Sequence, residues 1–323
     1  MRYGATLSNG SRLSRIGLGS WLTYGSHVDE CAAQECIDAA LDVGINVFDT
    51  APNYGGGAAE EILGRALRHQ DRSKIAILTK ISVAPGEETD RNIFGLFDAS
   101  RRRLKTDYVD IVKIHHFDYS TDNARILDCL QRLKSDGAIR GIGVCNWAAS
   151  HMQKHLAQID CTQNQYNLLW RYPERDVFRL SKSNGLLRFS WSSLAQGVLT
   201  GKYHHEQRGH FVSRGNHPQT ARFLQPWMNR ETHQTVTKLM AVSEHHSIDM
   251  VNLALSWIIQ TDRIDCALIG ARNAAQVIAS ACAVDDTLPL DLVNEIDSVT
   301  SNESMDGVES SEPTAIDFDK SRT

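Results

Sequence analysis

Short apolar runs alternate with longer amphipathic stretches along nearly the whole chain. We count eight such runs with helical patterns between them, which is the signature of a parallel sheet whose crossovers are helices. No segment rich in proline or glycine divides the succession, so one (β/α)8 barrel is the economical prediction and two doubly wound domains are not. A β-hairpin over 2–7 and 12–16, with Asn9-Gly10 at its turn, is predicted to precede the barrel. The predicted barrel strands cover 16–18, 45–49, 74–80, 109–115, 141–145, 161–165, 186–191 and 266–269.

The barrel is expected to fill residues 1–300 as a single domain that ends in an extra C-terminal helix. Residues 301–323 are rich in Ser, Glu and Asp with few apolar groups, and we predict a flexible acidic tail there. A longer insertion over 202–227 is rich in Lys, Arg and His. It is either a lid over a bound cofactor or a solvated loop, and both fit its composition.

Composition excludes several classes of protein. The chain is 41% apolar and 23% charged, which is ordinary for a globular protein, and its formal charge of -5 argues against a nucleic-acid surface. We find neither a run of eighteen apolar residues nor a secretory start, so we expect a cytoplasmic protein with no membrane partner. Seven scattered cysteines form no CxxC pair, and the paired histidines lack metal-ligand spacing. We therefore predict no metal.

Four polar side chains stand at or just past the ends of predicted strands. Asp49 ends the run 45–49 and Tyr54 follows it, while Lys80 and His115 each close an apolar run. The C-terminal ends of barrel strands meet at one rim, so these four groups should come together there.

Together these groups form a site that can protonate a carbonyl. A free tyrosine has a pKa of about 10 and is a poor proton donor at neutral pH. We expect the Lys80 ammonium to lower the pKa of Tyr54, Asp49 to hold Lys80, and His115 to orient the carbonyl oxygen. None of the four can supply a hydride, so a cofactor is required.

Lys113 shares strand parity with His115 and should point into the barrel unless a bulge intervenes. The sequence leaves two alternatives open: a buried, paired lysine or a local bulge.

These residues resemble the aldo-keto reductase superfamily, and the similarity covers nearly all of the chain. It is carried by Phe48-Asp49-Thr50-Ala51 with Tyr54-Gly55, Leu78-Thr79-Lys80, Ile114-His115, Gln165-Tyr166-Asn167, Ser193-Leu194-Ala195-Gln196-Gly197 and Leu268-Ile269-Gly270. Trp191 and the stretch after Gln165 look nearest to the branch of potassium-channel β-subunits and bacterial glyceraldehyde-phosphate reductases. That branch often forms tetramers or larger rings, so a homo-oligomer is an expectation.

The resemblance implies an NADPH-dependent reductase of aldehydes or ketones, with a sugar or hydroxy-aldehyde among the candidate substrates. It makes Asp49, Tyr54, Lys80 and His115 the catalytic set, with Tyr54 as general acid. NADPH or NADP⁺ is the expected cofactor, and NAD is less expected. The implied cofactor-binding residues are Ser20, Trp21, Asp49, Asn146, Gln165, Trp191, Ser192, Leu194, Gln196, Gly197, Lys202, Arg214, Gly270, Arg272 and Gln276.

Rim-loop residues are the candidates for contact with a small carbonyl substrate: Trp21, Tyr54, His115, His116 and Trp147. The chain also departs from the family pattern at the adenine edge. There Ala279 and Ser280 replace the usual Glu and Asn, which bears on the choice between NADP and NAD.

Two other functions remain alternatives. One is a cofactor-sensing regulatory scaffold like the channel β-subunits, with incidental turnover; His115 argues against it, because those subunits carry asparagine there. The other is a lyase that forms a Schiff base at Lys80 on the same kind of barrel.

Overall fold

Eight parallel strands close into a barrel at the centre of the molecule. The computed structural model describes residues 1–7, 10–25, 28–203, 218–260, 262–285 and 287–300. Neighbouring barrel strands follow one another along the chain, and the last pairs with the first. The strands are β3 Ile16–Gly19, β4 Val47–Asp49, β5 Ala76–Ile81, β6 Val109–Ile114, β7 Ile139–Cys145, β8 Cys161–Gln165, β9 Leu187–Trp191 and β10 Cys266–Ile269.

Helices connect the strands. Several begin at a side chain that accepts the free backbone N–H groups of the first turn, as Asp29, Thr89 and Asp122 do. The helices are α1 Glu30–Asp42, α2 Ala58–Ala66, α3 Asp90–Leu104, α4 Asn123–Ser135, α5 Ala149–Met152, α6 Val177–Ser183, α7 Pro218–Leu224, α8 Arg230–His245, α9 Met250–Gln260, α10 Ala274–Cys282 and α11 Leu290–Thr300.

An antiparallel hairpin, β1 Tyr3–Thr6 with β2 Arg12–Ser14, covers the N-terminal end of the barrel. Asn46, just before β4, donates to the Arg12 carbonyl at 2.8 Å and accepts from the Ser14 amide at 2.8 Å. The hairpin's Leu7 and Leu13 join the apolar cluster inside the barrel. That end of the barrel is thus filled by apolar side chains.

The predicted barrel with its hairpin is confirmed, and helix α11 is the extra C-terminal helix. Strand ends agree with the prediction to within two residues, and the strands over 161–165 and 266–269 match at both ends. The four-residue helix α5 escaped prediction because so short a segment has no readable period. Residues 204–217 of the insertion and the predicted tail over 301–323 lie outside the described residues.

Within the described residues, no helix combines the length and the apolar character that crossing a bilayer requires.

Candidate active site

The C-terminal rim of the barrel collects the polar groups that stand at strand ends. Asp49 is the last residue of β4, Lys80 is the penultimate residue of β5, and His115 directly follows β6. The corresponding places on the next three strands are held by Asn146, Gln165 and Trp191. The predicted groups therefore share one rim, as strand parity and parallel topology require.

Asp49 and Lys80 form a buried ion pair. The Lys80 Nζ donates to Oδ1 of Asp49 at 2.6 Å and to the carbonyl oxygen of Thr50 at 2.9 Å. Burial alone would raise the pKa of Asp49, but the adjacent ammonium groups of Lys113 and Lys80 outweigh it and hold that pKa below its ordinary value. Asp49 is therefore a carboxylate at neutral pH.

Lys113 pairs with the same carboxylate, through Oδ2 of Asp49. Its side chain is 0% exposed. The register between β5 and β6 runs without interruption and sets Lys113 beside Lys80, so there is no bulge at this position. Of the two alternatives that the sequence leaves open, the buried, paired lysine is the one observed.

Tyr54 lies in the loop after β4, at the first residue of a 3-10 turn over Tyr54–Gly57. Its ring centre is 4.8 Å from the Lys80 Nζ and 5.8 Å from the centre of the His115 ring. The structure therefore brings Asp49, Lys80, Tyr54 and His115 together.

The charge environment of Tyr54 differs from the one expected. Although part of Tyr54 reaches solvent, loss of hydration raises its pKa well above the ordinary value; the Asp49 carboxylate adds to this, and Lys113 opposes it. The predicted lowering of the Tyr54 pKa is wrong, because loss of hydration and the Asp49 carboxylate together outweigh the nearby cations. Tyr54 thus carries its proton at neutral pH.

His115 is held neutral. Burial lowers its pKa well below 6.5, and the nearby Lys80, His116 and Lys113 lower it further. Its Nδ1 lies 3.4 Å from the Ser82 hydroxyl. A neutral imidazole has one N–H and can donate a hydrogen bond without carrying charge.

The predicted substrate-contact residues differ in their exposure to solvent. His116 is exposed and stacks on His115 with ring centres 4.3 Å apart. Trp147 is only 1% exposed and packs 5.1 Å from Phe117, while its Nε1 has no partner in the described structure. Trp21 packs edge-on against Trp191, with centres 5.7 Å apart.

Asn146 and Trp191 are joined on one side of the barrel mouth. The Trp191 Nε1 donates to Oδ1 of Asn146 at 2.9 Å, and the backbone N–H of Gln165 donates to the same oxygen at 3.2 Å. Since the Asn146 oxygen accepts both bonds, its NH2 group is left to donate.

Gln165 is a buried side chain whose amide group makes no hydrogen bond within the described residues. It is 1% exposed, and neither Oε1 nor Nε2 has a hydrogen-bond partner among the described residues. Leaving a buried amide unpaired costs about 1–3 kcal/mol, so such groups call for an explanation. A bound carboxamide, with one donor and one acceptor side, would satisfy both atoms, and a nicotinamide fits this requirement.

The loop after β9 has an unusual backbone. Ser192, Ala195 and Gln196 are non-glycine residues with φ of 57°, 47° and 58°, a conformation that costs energy and is concentrated at functional sites. Gly197 follows with φ of 93°, and a Cβ there would lie 2.8 Å from the Lys202 Nζ. A loop that keeps its backbone open beneath an ammonium group suits an anion such as a diphosphate. Leu194 in the same loop is partly buried.

The loop after β10 folds back at the start of α10. Asn273 accepts from the Gln276 backbone, and the Gln276 Oε1 accepts from the Arg272 backbone at 2.9 Å. Gly270 and Arg272 therefore stand next to a helix N-terminus, where anions are favoured.

Ser20 is tied to the barrel itself, because its hydroxyl donates to the Asp49 carbonyl at 3.1 Å. Arg214 lies outside the described residues.

Two residues at this rim received no role from the sequence, although Asn167 belongs to a motif that carries the resemblance. Phe223 in α7 packs 5.1 Å from Trp21 and extends the aromatic row that begins at Trp191. Asn167 is fully buried and donates to the Ser192 carbonyl at 2.9 Å, which holds the unusual loop. Its place two residues past a strand end was a usable signal, whereas Phe223 comes from a distant insertion without a pattern.

No group of three His, Cys, Asp or Glu side chains suited to a metal ion occurs in the described part of the chain. The absence of a metal stays a prediction.

The chain is similar to several known proteins. The model of the aldo/keto reductase family matches residues 15–301. Aldo-keto reductase YhdN of Bacillus subtilis is 30% identical, over 95% of this chain and 96% of its own. The NADH-specific methylglyoxal reductase of Escherichia coli is 30% identical, over 85% and 91%. A probable voltage-gated potassium channel subunit beta of Oryza sativa is 28% identical, over 93% and 96%.

Among solved structures, an aldo/keto reductase from Klebsiella pneumoniae, determined in complex with NADP and acetate, matches with a TM-score of 0.75. The two chains are 22% identical, and the match covers 93% of this chain and 96% of the other. At that identity the likeness supports the fold. The match over 15–301, with relatives at 30% identity along almost their whole length, shows that the chain belongs to the aldo/keto reductase family of NAD(P)H-dependent oxidoreductases that act on carbonyl groups.

Proposed function

We propose that this protein reduces an aldehyde or ketone to the alcohol with NADPH, and that Tyr54 donates the proton. The observation that carries the proposal is the gathering of Asp49, Lys80, Tyr54 and His115 at one rim, beside the unpaired Gln165 amide. The nicotinamide nucleotide, when bound, supplies the hydride.

Proton donation falls to the Tyr54 hydroxyl. Its raised pKa keeps the phenol protonated until a carbonyl oxygen gains negative charge. The phenolate left behind is then next to the cluster of Lys80, Lys113 and Asp49, which carries a net positive charge. Fixed charges in a buried site stabilise a developing anion more than water does.

Orientation of the carbonyl is the proposed role of His115. A neutral imidazole 5.8 Å from the Tyr54 ring can donate to the same carbonyl oxygen that Tyr54 protonates. Trp21, His116 and Trp147 are the proposed neighbours of the rest of the substrate. A sugar or hydroxy-aldehyde suits the mixed polar and aromatic character of that set.

The cofactor contacts follow the rim in order. Gln165 and Asn146 would hold the carboxamide, with Trp191 against the ring. The loop residues Ser192, Leu194, Gln196 and Gly197, with Lys202, would hold the diphosphate. Gly270, Arg272 and Gln276 would hold the adenosine end.

We propose NADPH rather than NADH because Arg272 stands beside a helix N-terminus, where a 2′-phosphate would find a cation and backbone donors. Two observations weigh on the other side. One relative is named as NADH-specific, and Ala279 and Ser280 stand where the family usually has Glu and Asn.

The structure argues against the Schiff-base lyase more directly than against the regulatory scaffold. A lyase needs a free amine, whereas the Lys80 Nζ is held by Asp49 and the Thr50 carbonyl. The regulatory scaffold is supported by the similarity to a probable channel subunit. The buried, neutral His115 beside Tyr54 favours turnover instead.

The test is a set of initial rates with NADPH and NADH over a panel of aldehydes, ketones and hydroxy-aldehydes. We expect nicotinamide absorbance to fall in proportion to the carbonyl added, faster with NADPH. The variant Arg272→Met should lose about tenfold in kcat/KM for NADPH and little for NADH, since one charge-assisted contact is removed. Tight binding of NADPH without turnover on any carbonyl would overturn the reductase and favour the scaffold.

The seven cysteines are free thiols, which is compatible with the predicted cytoplasmic location. That location and a homo-oligomeric state stay predictions.

A further inference from the structure

A second lysine shares the catalytic carboxylate. Lys113 of β6 sits directly beside Lys80 of β5, and its side chain is 0% exposed. Lys80 contacts Oδ1 of Asp49 and Lys113 contacts Oδ2. One ammonium group is enough to balance the charge of the Asp49 carboxylate, so the second ammonium requires its own explanation.

The barrel interior is built to accept this ammonium. Lys113 is paired in register with Gly143 of β7. A Cβ at Gly143 would lie 2.7 Å from Cγ of Lys113 and 2.4 Å from Sγ of Cys161, closer than side chains tolerate. The Lys113 Nζ also lies 5.6 Å from the centre of the Phe189 ring, within the range of a cation–π contact. Burying an ammonium is costly unless it is paired, and these neighbours offset that cost.

Lys113 changes the charge of the site. Asp49 with Lys80 alone would be neutral, whereas two ammonium groups on one carboxylate leave a net positive charge of one. In a buried environment a positive charge favours a nearby anion strongly. The phenolate of Tyr54 is the anion that forms here when a proton is given up.

The ionisable groups that face Tyr54 come from four strands. Burial and the Asp49 carboxylate of β4 act to raise the Tyr54 pKa, and Lys113 of β6 acts to lower it; Cys145 of β7 also faces Tyr54, as a neutral thiol. The remaining facing groups are Lys80 of β5, 4.8 Å from the ring, and the neutral His115 after β6.

Three thiols surround Lys113 from the other strands. Burial raises the pKa of Cys145 to about 11 and raises the pKa values of Cys161 and Cys266 above their ordinary range. All three are neutral at physiological pH, so Asp49 is the counter-charge that Lys113 contacts.

We propose that Lys113 is a positioning residue of the proton-transfer site, which pairs with the second oxygen of Asp49 and holds a net positive charge beside Tyr54 that favours its phenolate form. The inference rests on the proposed role of Tyr54. It gives Tyr54 access to both directions of the reaction, as phenol in carbonyl reduction and as phenolate in alcohol oxidation.

The test is the pH profile of NADP⁺-dependent alcohol oxidation by Lys113→Met, which keeps an unbranched chain of similar length without charge. We expect the pH at which oxidation reaches half its plateau to rise by about one unit or more, because a buried positive charge is lost. Below that pH the rate should fall about tenfold, and it should recover at high pH. The control Phe189→Leu alters packing around the same ammonium and should leave the midpoint in place.

A second measurement does not depend on turnover. Tyrosinate absorbance is titrated without cofactor, and subtraction of the Tyr54→Phe curve isolates Tyr54. Its midpoint should rise in Lys113→Met, with Lys113→Gln as the substitute if Met prevents folding. A parent enzyme inactive on every carbonyl would refute the proposed function while this titration still decides the role of Lys113. Unmoved midpoints, with only a uniform loss of rate or stability, would overturn the inference.

Discussion

Burial and nearby cations keep His115 without charge, although a free histidine titrates close to neutral pH. The neutral form matters because an imidazolium would compete with Tyr54 as proton donor. It also has a consequence for stability. The unfolded chain takes up a proton at this residue as the pH falls below about 6.5, and the folded chain does not.

We expect acidification to destabilise the parent protein more than His115→Asn. Between pH 7.5 and 5.5 the free energy of unfolding should fall by about 1 kcal/mol more in the parent, because only its unfolded state gains this proton. Asp49 does not contribute in this window, since its lowered pKa makes its stabilisation disappear only in stronger acid. Urea unfolding at both pH values measures the difference, and the other histidines cancel. If the free energy of unfolding fell by the same amount in the parent and in His115→Asn, His115 would take up its proton in the folded protein as well.

Gln165 couples function to stability in the opposite sense. Gln165→Leu should raise the free energy of unfolding of the cofactor-free protein by about 1 kcal/mol, because an unpaired buried amide disappears. The same change should weaken NADPH binding about tenfold or more. Gln163→Leu, two residues earlier on the same face, is the control and should bind NADPH normally.

Thermal melts with and without NADPH measure both effects. If Gln165→Leu bound NADPH as the parent does, the amide would have no part in holding the cofactor.

The strands contribute differently at their two ends. At the N-terminal end, Asp110 of β6 binds Arg72 at 2.6 Å and Arg140 at 3.1 Å, and the Tyr108 ring lies between the two guanidinium groups. Asp110 also accepts from the Ile77 amide at 2.9 Å, so it joins β5, β6 and β7. This cluster is far from the catalytic rim, and its role is to hold the barrel closed.

Asp110→Ala should therefore lower the free energy of unfolding by about 3 kcal/mol, because the Ile77 N–H and the two guanidinium groups would lose their acceptor. Asp90 is a matched control, because it also binds two arginines, Arg125 and Arg132, but is 40% exposed. Asp90→Ala should cost less than about 1 kcal/mol. Denaturant titration separates the two, and kcat/KM below the melting temperature should be unchanged in both. Equal losses of unfolding free energy in Asp110→Ala and Asp90→Ala would contradict the proposed role of Asp110 in holding the barrel closed.

Strand parity predicted most of the rim. The period of two in a strand placed Lys80 inward, and parallel topology brought it to Asp49 and His115. Parity also pointed Lys113 inward, but the sequence could not decide whether a bulge turned it away. The inward position of Lys113 depends on the space beside it on β7, which Gly143 leaves free, and on the second oxygen of Asp49. Neither is visible before the strands are paired.

At the level of the entire chain, eight alternating units without a dividing linker favoured one closed barrel over two doubly wound domains. Charge balance was less predictable. The expected effect of Lys80 on Tyr54 failed because it treated one pair alone, whereas the Tyr54 pKa depends on burial and on every charge around the mouth. The backbone conformation of the loop after β9 could not be predicted either, because residue types such as Ser192 and Gln196 seldom adopt a positive φ.

A single-turnover experiment with Tyr54→Phe tests the central claim, that the rim protonates a carbonyl through this phenol. Enzyme loaded with NADPH is mixed with an aldehyde that the parent reduces, and loss of nicotinamide absorbance is followed, with cofactor fluorescence as the control for binding. We predict that the rate falls by about 100-fold or more, because a general acid is removed, while NADPH binding is retained. A Tyr54→Phe enzyme that reduces the aldehyde about as fast as the parent would contradict it.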